Sequence, residues 1–149
     1  MATIEKVIFN NYKHKEVNIS YLIGTGEKNE KNDVLLVQAL FKLIAWSDSF
    51  SKQTIGLGKN DLPEITGRFC ARTREAIWSF QRKMSRKILN IDGKIHPAKY
   101  NNRVIKNGPD SKKMMITLLN MYAAEGVLYS DSNDIVEAVK KLAPSIVFV

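Results

Sequence analysis

The sequence predicts an α+β fold that is mainly α. Three observations carry that expectation. Apolar residues recur at helical spacing in four separate stretches. Residues 17–23 alternate apolar and polar, the period of a half-buried strand. The last residues, Ser145 to Val149, are β-branched and aromatic. With 149 residues and 44% hydrophobic content, one domain spanning 1–149 is expected, long enough to bury a real core.

Residues 3–10 and 17–23 read as two strands joined by a polar turn at residues 10–15, a β-hairpin. Residues 24–32 form a polar linker. Asp33 is expected to cap a helix reaching about Ala45. Val34, Val37, Leu40, Phe41 and Ile44 form its buried stripe. Leu35, Leu36 and Leu43 widen that stripe, so the helix is covered on more than one side.

Residues 46–64 are rich in Ser, Gly, Asn, Asp and Pro and read as a long loop with a short turn of helix. A central helix follows at about 71–88. Thr73, Ala76, Ile77, Phe80, Met84 and Ile88 share one face, with Gln81 at its edge. Trp78 lies well off that face, four residues from Arg74 on one side and from Arg82 on the other. Arg86 extends the row.

Asp92-Gly93 marks a turn. A third helix is expected from Asp110 or Ser111 to about Glu125, burying Met114, Leu118, Met121 and Tyr122, with Gly126 as its stop. Asn133 or Asp134 caps a fourth helix, residues 135–142, ended by Pro144. The C-terminal residues are expected to add a strand to the N-terminal hairpin.

Charge is unevenly placed. The chain carries a formal net charge of +8, yet residues 65–107 alone hold 11 basic residues against 2 acidic ones. A localised charge of one sign points to an anionic partner or to a solvated face. The pI of about 9.6 raises nucleic acid as a partner. About 26 residues separate Ala45 from Ala71, too many for the short turn of a helix-turn-helix, so no specific nucleic-acid recognition is expected.

One cysteine and two histidines exclude an internal disulfide and make a poor zinc set, so neither a metal nor a cofactor is expected. No metalloprotease, nucleophile-elbow, P-loop or dinucleotide motif is present, and no catalysis is expected. Cys70 reads as a small packing residue at a turn, and His96 as structural or exposed. The N-terminus has no apolar signal segment, and no apolar run is long enough for a bilayer span, so no membrane insertion is expected. The expected place of synthesis is the cytoplasm, without a classical signal peptide, so work outside the cell would need another route.

The stretch from 34 to about 100 resembles the peptidoglycan-binding domain family, small three-helix modules often attached to cell-wall lytic enzymes. Val34 and Val37-Gln38 match its first helix. Gly67-Arg68-Phe69 and Thr73 match its first turn, Ala76-Ile77-Trp78-Ser79-Phe80-Gln81 its second helix, and Asp92-Gly93-Lys94-Ile95 with Pro97 its second turn. Thr66, Cys70 and His96 depart from the pattern, and the insertion at 46–64 is long for the family.

The resemblance implies a peptidoglycan-binding-domain-like core at 34–100, with the hairpin at 1–26 and the elements of 110–149 as additions. It implies a non-catalytic module that binds peptidoglycan or a muropeptide and, with no classical signal peptide, is delivered to the periplasm or cell wall by a secretion machine or phage. Its surface would consist of Arg68, Arg72, Arg74, Trp78, Arg82 and Arg86. An exposed Trp78 stacks on a sugar while guanidinium groups pair with stem-peptide carboxylates. If the added elements cover Trp78, that surface is lost. The alternative function is a protein–protein adaptor of a bacterial secretion or phage system, reusing the fold without sugar binding.

Overall fold

A computed structural model describes residues 2–9, 12–98 and 112–148. Its elements are β1 (Thr3–Phe9), β2 (Tyr12–Asn18), α1 (Lys31–Ile44), α2 (Asp48–Thr54), a 3₁₀ helix (Lys59–Asp61), α3 (Ala71–Lys83), α4 (Met115–Tyr129) and α5 (Ile135–Leu142). The architecture is mainly helical with one small antiparallel sheet, as the sequence predicts. Buried apolar residues form one cluster from Ala2 to Ile146.

The hairpin lies earlier than its alternation suggests. β1 and β2 pair antiparallel from Thr3↔Asn18 to Phe9↔Tyr12, so β2 takes up residues assigned to the turn and ends at Asn18. The reason lies at Asp33. Its fully buried carboxylate accepts the N–H groups of Ser20 and Tyr21, both at 3.0 Å. These backbone groups are therefore satisfied by a side chain rather than by a ladder. Val17, Ile19 and Ile23 are buried, while Tyr21 points outward. Asp33 is the third residue of α1 and not its cap; Glu30 stands at the cap position. Burial pushes the Asp33 carboxyl up from its ordinary value, against the two hydrogen bonds that favour the anion.

α1 is buried along nearly its whole length, with Val34 to Phe41 all inside. The 46–64 segment is more ordered than expected. Ser47 Oγ accepts the Phe50 N–H at 3.0 Å and caps α2, and Asp48 Oδ1 accepts the Lys59 N–H at 2.9 Å. α3 stops at Lys83, short of the predicted Ile88. Residues 87–89 leave the helix to pair with Lys113: the Leu89 N–H reaches Lys113 O at 3.0 Å, and the Lys113 N–H reaches Lys87 O at 2.8 Å. Met84 and Ile88 are buried all the same.

α4 runs four residues past Glu125, and Gly126 lies inside it; the predicted start at 110–111 is outside the described residues. Gly126 does not stop the helix. A Cβ there would stand 1.9 Å from the Leu43 carbonyl oxygen, so glycine is needed for the crossing of α4 over α1. The buried set is also rotated from expectation. Met115, Ile116, Leu118, Leu119, Ala123 and Val127 face the core, Met114 and Tyr122 are half-buried, and Met121 is half-exposed. Asn120 fixes this rotation. Its carboxamide accepts the Val17 N–H at 2.9 Å and donates to Val17 O at 2.8 Å, pairing with the outer edge of β2 as a neighbouring strand would.

Asp134 caps α5 by accepting the Glu137 N–H at 2.8 Å, and the helix ends just before Pro144. Among the described residues the expected C-terminal strand reduces to a single parallel bridge, Ala2↔Phe148, and Val149 lies outside them. The backbone before it is taken by a side chain, the Val147 N–H donating to Asn32 Oδ1 at 3.1 Å.

Candidate functional site

Two glycine turns hold the loops on either side of α3, and a buried glutamine clamps each. Gln38 Oε1 accepts the N–H groups of Thr66 and Gly67, both at 2.9 Å, while Nε2 donates to Arg68 O at 3.0 Å and Thr73 Oγ1 at 3.1 Å. Gln81 Oε1 accepts the Gly93 N–H at 2.8 Å, and Nε2 donates to Lys94 O at 2.8 Å. Each carboxamide thus satisfies a turn's N–H and C=O together. The turns need glycine: Gly67 has φ +77° and Gly93 φ +71°. Antiparallel bonding between Ile23 and Ile95, at 3.1 and 2.9 Å, fixes the chain just after the second turn.

Trp78 is half-buried. Its cover includes the second turn, since a Cβ on Gly93 would lie 2.4 Å from Trp78 Cε2. The Arg82 guanidinium carbon sits 5.3 Å from the indole centroid, within cation–π range. Arg74, one turn earlier on the same side of α3, is exposed. The helix therefore brings Arg74, Trp78 and Arg82 together.

The other predicted residues do not join that group. Arg72 turns to the opposite flank and donates to Asn60 O at 3.2 Å. Arg68 lies at the first turn and Arg86 beyond the end of α3, both exposed. Among the described residues, no ion pair engages any of these five arginines.

Around the second turn lies a polar cluster that sequence reasoning did not assemble. Asp92 Oδ1 accepts the Lys94 N–H at 3.0 Å, and His96 Nε2 lies 2.8 Å from Asp92 Oδ2. Lys94 Nζ pairs with Glu27 Oε1 at 2.7 Å, across 67 residues of sequence. The local signal was the i, i+4 spacing of Asp92 and His96; Glu27 gave none. Lys94 and His96 also line a cavity of about 10 Å³ with Leu89, Asn90, Met114 and Met115, room for about one water.

Partial burial pushes the Asp92 carboxyl up, but bonds from His96, the Lys94 N–H and Gln81 outweigh it and hold it below its ordinary 3.8. Because the folded value lies below the unfolded one, the stabilisation is present above pH 3.8 and lost as pH falls through the folded value. Asp92→Asn is therefore expected to flatten the loss of urea stability as pH falls below about 4. Superimposable acid limbs for the variant and the wild type would show that this carboxylate is not linked to folding.

Cys70 stands at the N-cap position of α3, exposed, with Sγ 3.2 Å from Thr73 Oγ1. Partial burial raises its thiol, but the Thr73 hydroxyl and the backbone N–H groups of Cys70, Arg72 and Thr73 outweigh that, for a net downward shift. Cys70 pairs with Thr73 and His96 with Asp92, so the described contacts assemble no Cys–His dyad. Among the described residues, no group of three or more His, Cys, Asp or Glu is placed to hold a metal ion. No single described helix is long and apolar enough to cross a membrane.

No protein-family model matches the chain, and no curated protein or solved structure shows significant similarity to it.

Proposed function

We propose that this chain is a non-catalytic peptidoglycan-binding module, built on a peptidoglycan-binding-domain-like core and delivered to the wall by a secretion machine or phage. One observation carries the reading: Trp78 stands half-open on α3 between two exposed arginines that no described carboxylate neutralises. The turn clamped by Gln81 supports it, because it holds the Gly93 side of the indole fixed. Recognition is shallow. The open part of the indole lies against a sugar ring. Arg74 and Arg82 make charge-assisted hydrogen bonds to stem-peptide carboxylates, and no bond is broken. Arg82 must swing off the indole to do so, exchanging a cation–π contact for an ion pair.

The test is retention on insoluble peptidoglycan sacculi at low and moderate salt. Wild type is expected to be retained at both. Trp78→Ala is expected to lose roughly tenfold in affinity, about 1.4 kcal/mol. Arg74→Ala/Arg82→Ala is expected to lose binding mainly as salt rises, since the Debye length shortens. Retention that salt abolishes for all variants alike would mean bare charge attraction. No retention at all would turn the search to a protein partner and the adaptor reading.

A further inference from the structure

α4 buries one face in the core and, among the described residues, leaves a second, largely apolar set of side chains exposed. Its buried residues face the core. Its exposed residues, Met121, Ala124, Glu125, Leu128 and Tyr129, fall at i, i+3, i+4, i+7 and i+8, the spacing of a stripe that packs against another element. Met121 is 50% exposed, Leu128 78% and Tyr129 66%. The end of the stripe is stiff, since the Tyr129 ring stacks on Trp46 at 4.2 Å and 9° between planes. At that end of the stripe a partner therefore meets a ring already ordered, with little side-chain entropy left to lose there.

The charges at this face are self-complementary. Glu125 lies on the stripe. Lys87 lies at its rim, its Nζ 3.1 Å from the hydroxyl of Tyr122, one turn before Glu125 and on the same side of the helix. Among the described residues no ion pair joins Lys87 or Glu125 to anything within the chain. A two-fold axis through the middle of the stripe reverses the order of these groups on the second copy. Met121 then packs on Leu128, the small Ala124 lies at the crossing, and Lys87 comes alongside Glu125, twice over. A parallel pairing would set lysine level with lysine and glutamate level with glutamate, which disfavours it.

We propose that two copies of this chain associate through α4, packed antiparallel, with each Glu125 paired to Lys87 of the other copy. The contact goes beyond wall binding and does not depend on it.

Sedimentation over a concentration series tests the proposal on the whole chain. The wild type is expected to move from 16.9 kDa to twice that mass as concentration rises to hundreds of micromolar. Leu128→Glu, at an exposed position that leaves folding intact, is expected to stay monomeric. Glu125→Lys alone and Lys87→Glu alone each create repulsive pairs and are expected to weaken the dimer at least tenfold. Mixing these two variants restores both pairs and is expected to return a heterodimer. A wild type that stays monomeric at every concentration overturns the proposal. So does a dimer that ignores Leu128→Glu, or single charge reversals that leave association unchanged.

Discussion

Gly126→Ala is expected to destabilise the chain by about 3 kcal/mol or more, although alanine is the better helix former by about 1 kcal/mol. The added methyl would stand 1.9 Å from Leu43 O, 2.5 Å from Leu43 C and 2.8 Å from Leu43 Cα. All three are backbone atoms of α1 and have no rotamer through which to yield. The helices must separate, and the core between them loses contacts along the whole crossing. Urea denaturation gives the free energy directly, and a fall in Tm of roughly 10 °C should accompany it. Gly26→Ala is the control: Gly26 also has a positive φ, +79°, but nothing lies within 4 Å of its added Cβ. It should lose only roughly 1 kcal/mol of backbone strain. A neutral or stabilising Gly126→Ala would mean that helix propensity governs this position and that α4 and α1 do not meet as closely as described.

The same glycine shows where local reading stops. Glycine near the end of an apolar run is a sound helix-stop signal, and it misled here because the reason for Gly126 lies on another helix. The strand shift has the same origin. The alternation of Val17, Ile19, Tyr21 and Ile23 is real in the sequence, but Asp33 takes the backbone of Ser20 and Tyr21 away from any ladder. By contrast, the cap of α5 and its end at Pro144 are complete within a few residues, and both were legible. So was the stripe of α1, whose burial depends on period alone. The periodicity of α3 continues through Met84 and Ile88, and both are buried. What the period does not contain is the pairing of residues 87–89 with Lys113, which ends the helix at Lys83.

The candidate site was legible in its centre and not at its edges. Helical spacing alone places Arg74, Trp78 and Arg82 on one side of α3, and the structure keeps them there. It sends Arg72 to the opposite flank, where Asn60 O offers an acceptor that the sequence gives no means of locating. The sequence left open whether Trp78 is bare or covered by the added terminal elements. Its described cover includes the Gly93 turn, from within the 34–100 stretch itself. The link between Lys94 and Glu27 joins that turn to the linker, a contact between exposed polar segments that follows no period.

Gln81→Leu is expected to cost about 3 kcal/mol and, unlike a merely destabilising change, to alter the surroundings of Trp78. Leucine fills similar volume but removes the acceptor of the Gly93 N–H and the donor to Lys94 O. Leaving buried polar groups unsatisfied costs about 1–3 kcal/mol each. The Gly93 turn then loses the bonds that hold it against the indole, so Trp78 emission in the folded protein, read in a Trp46→Phe background because the chain has two tryptophans, should shift and quench more readily with iodide. Gln38→Leu makes the matched comparison. It strips the same kind of clamp from the Thr66–Gly67–Arg68 turn and should cost a similar amount. That turn packs Gly67 against Lys31 and Leu35 of α1 and not against Trp78, so emission should stay as in the wild type. Equal spectral changes in the two variants would mean that Trp78 senses overall loosening rather than its own turn. An unchanged spectrum in Gln81→Leu would mean that the turn is held by the Ile23–Ile95 bonds alone. If the predicted contrast appears, loss of sacculus retention by Gln81→Leu but not by Gln38→Leu would tie binding to the geometry of Trp78, with the positive charge of α3 unchanged in both.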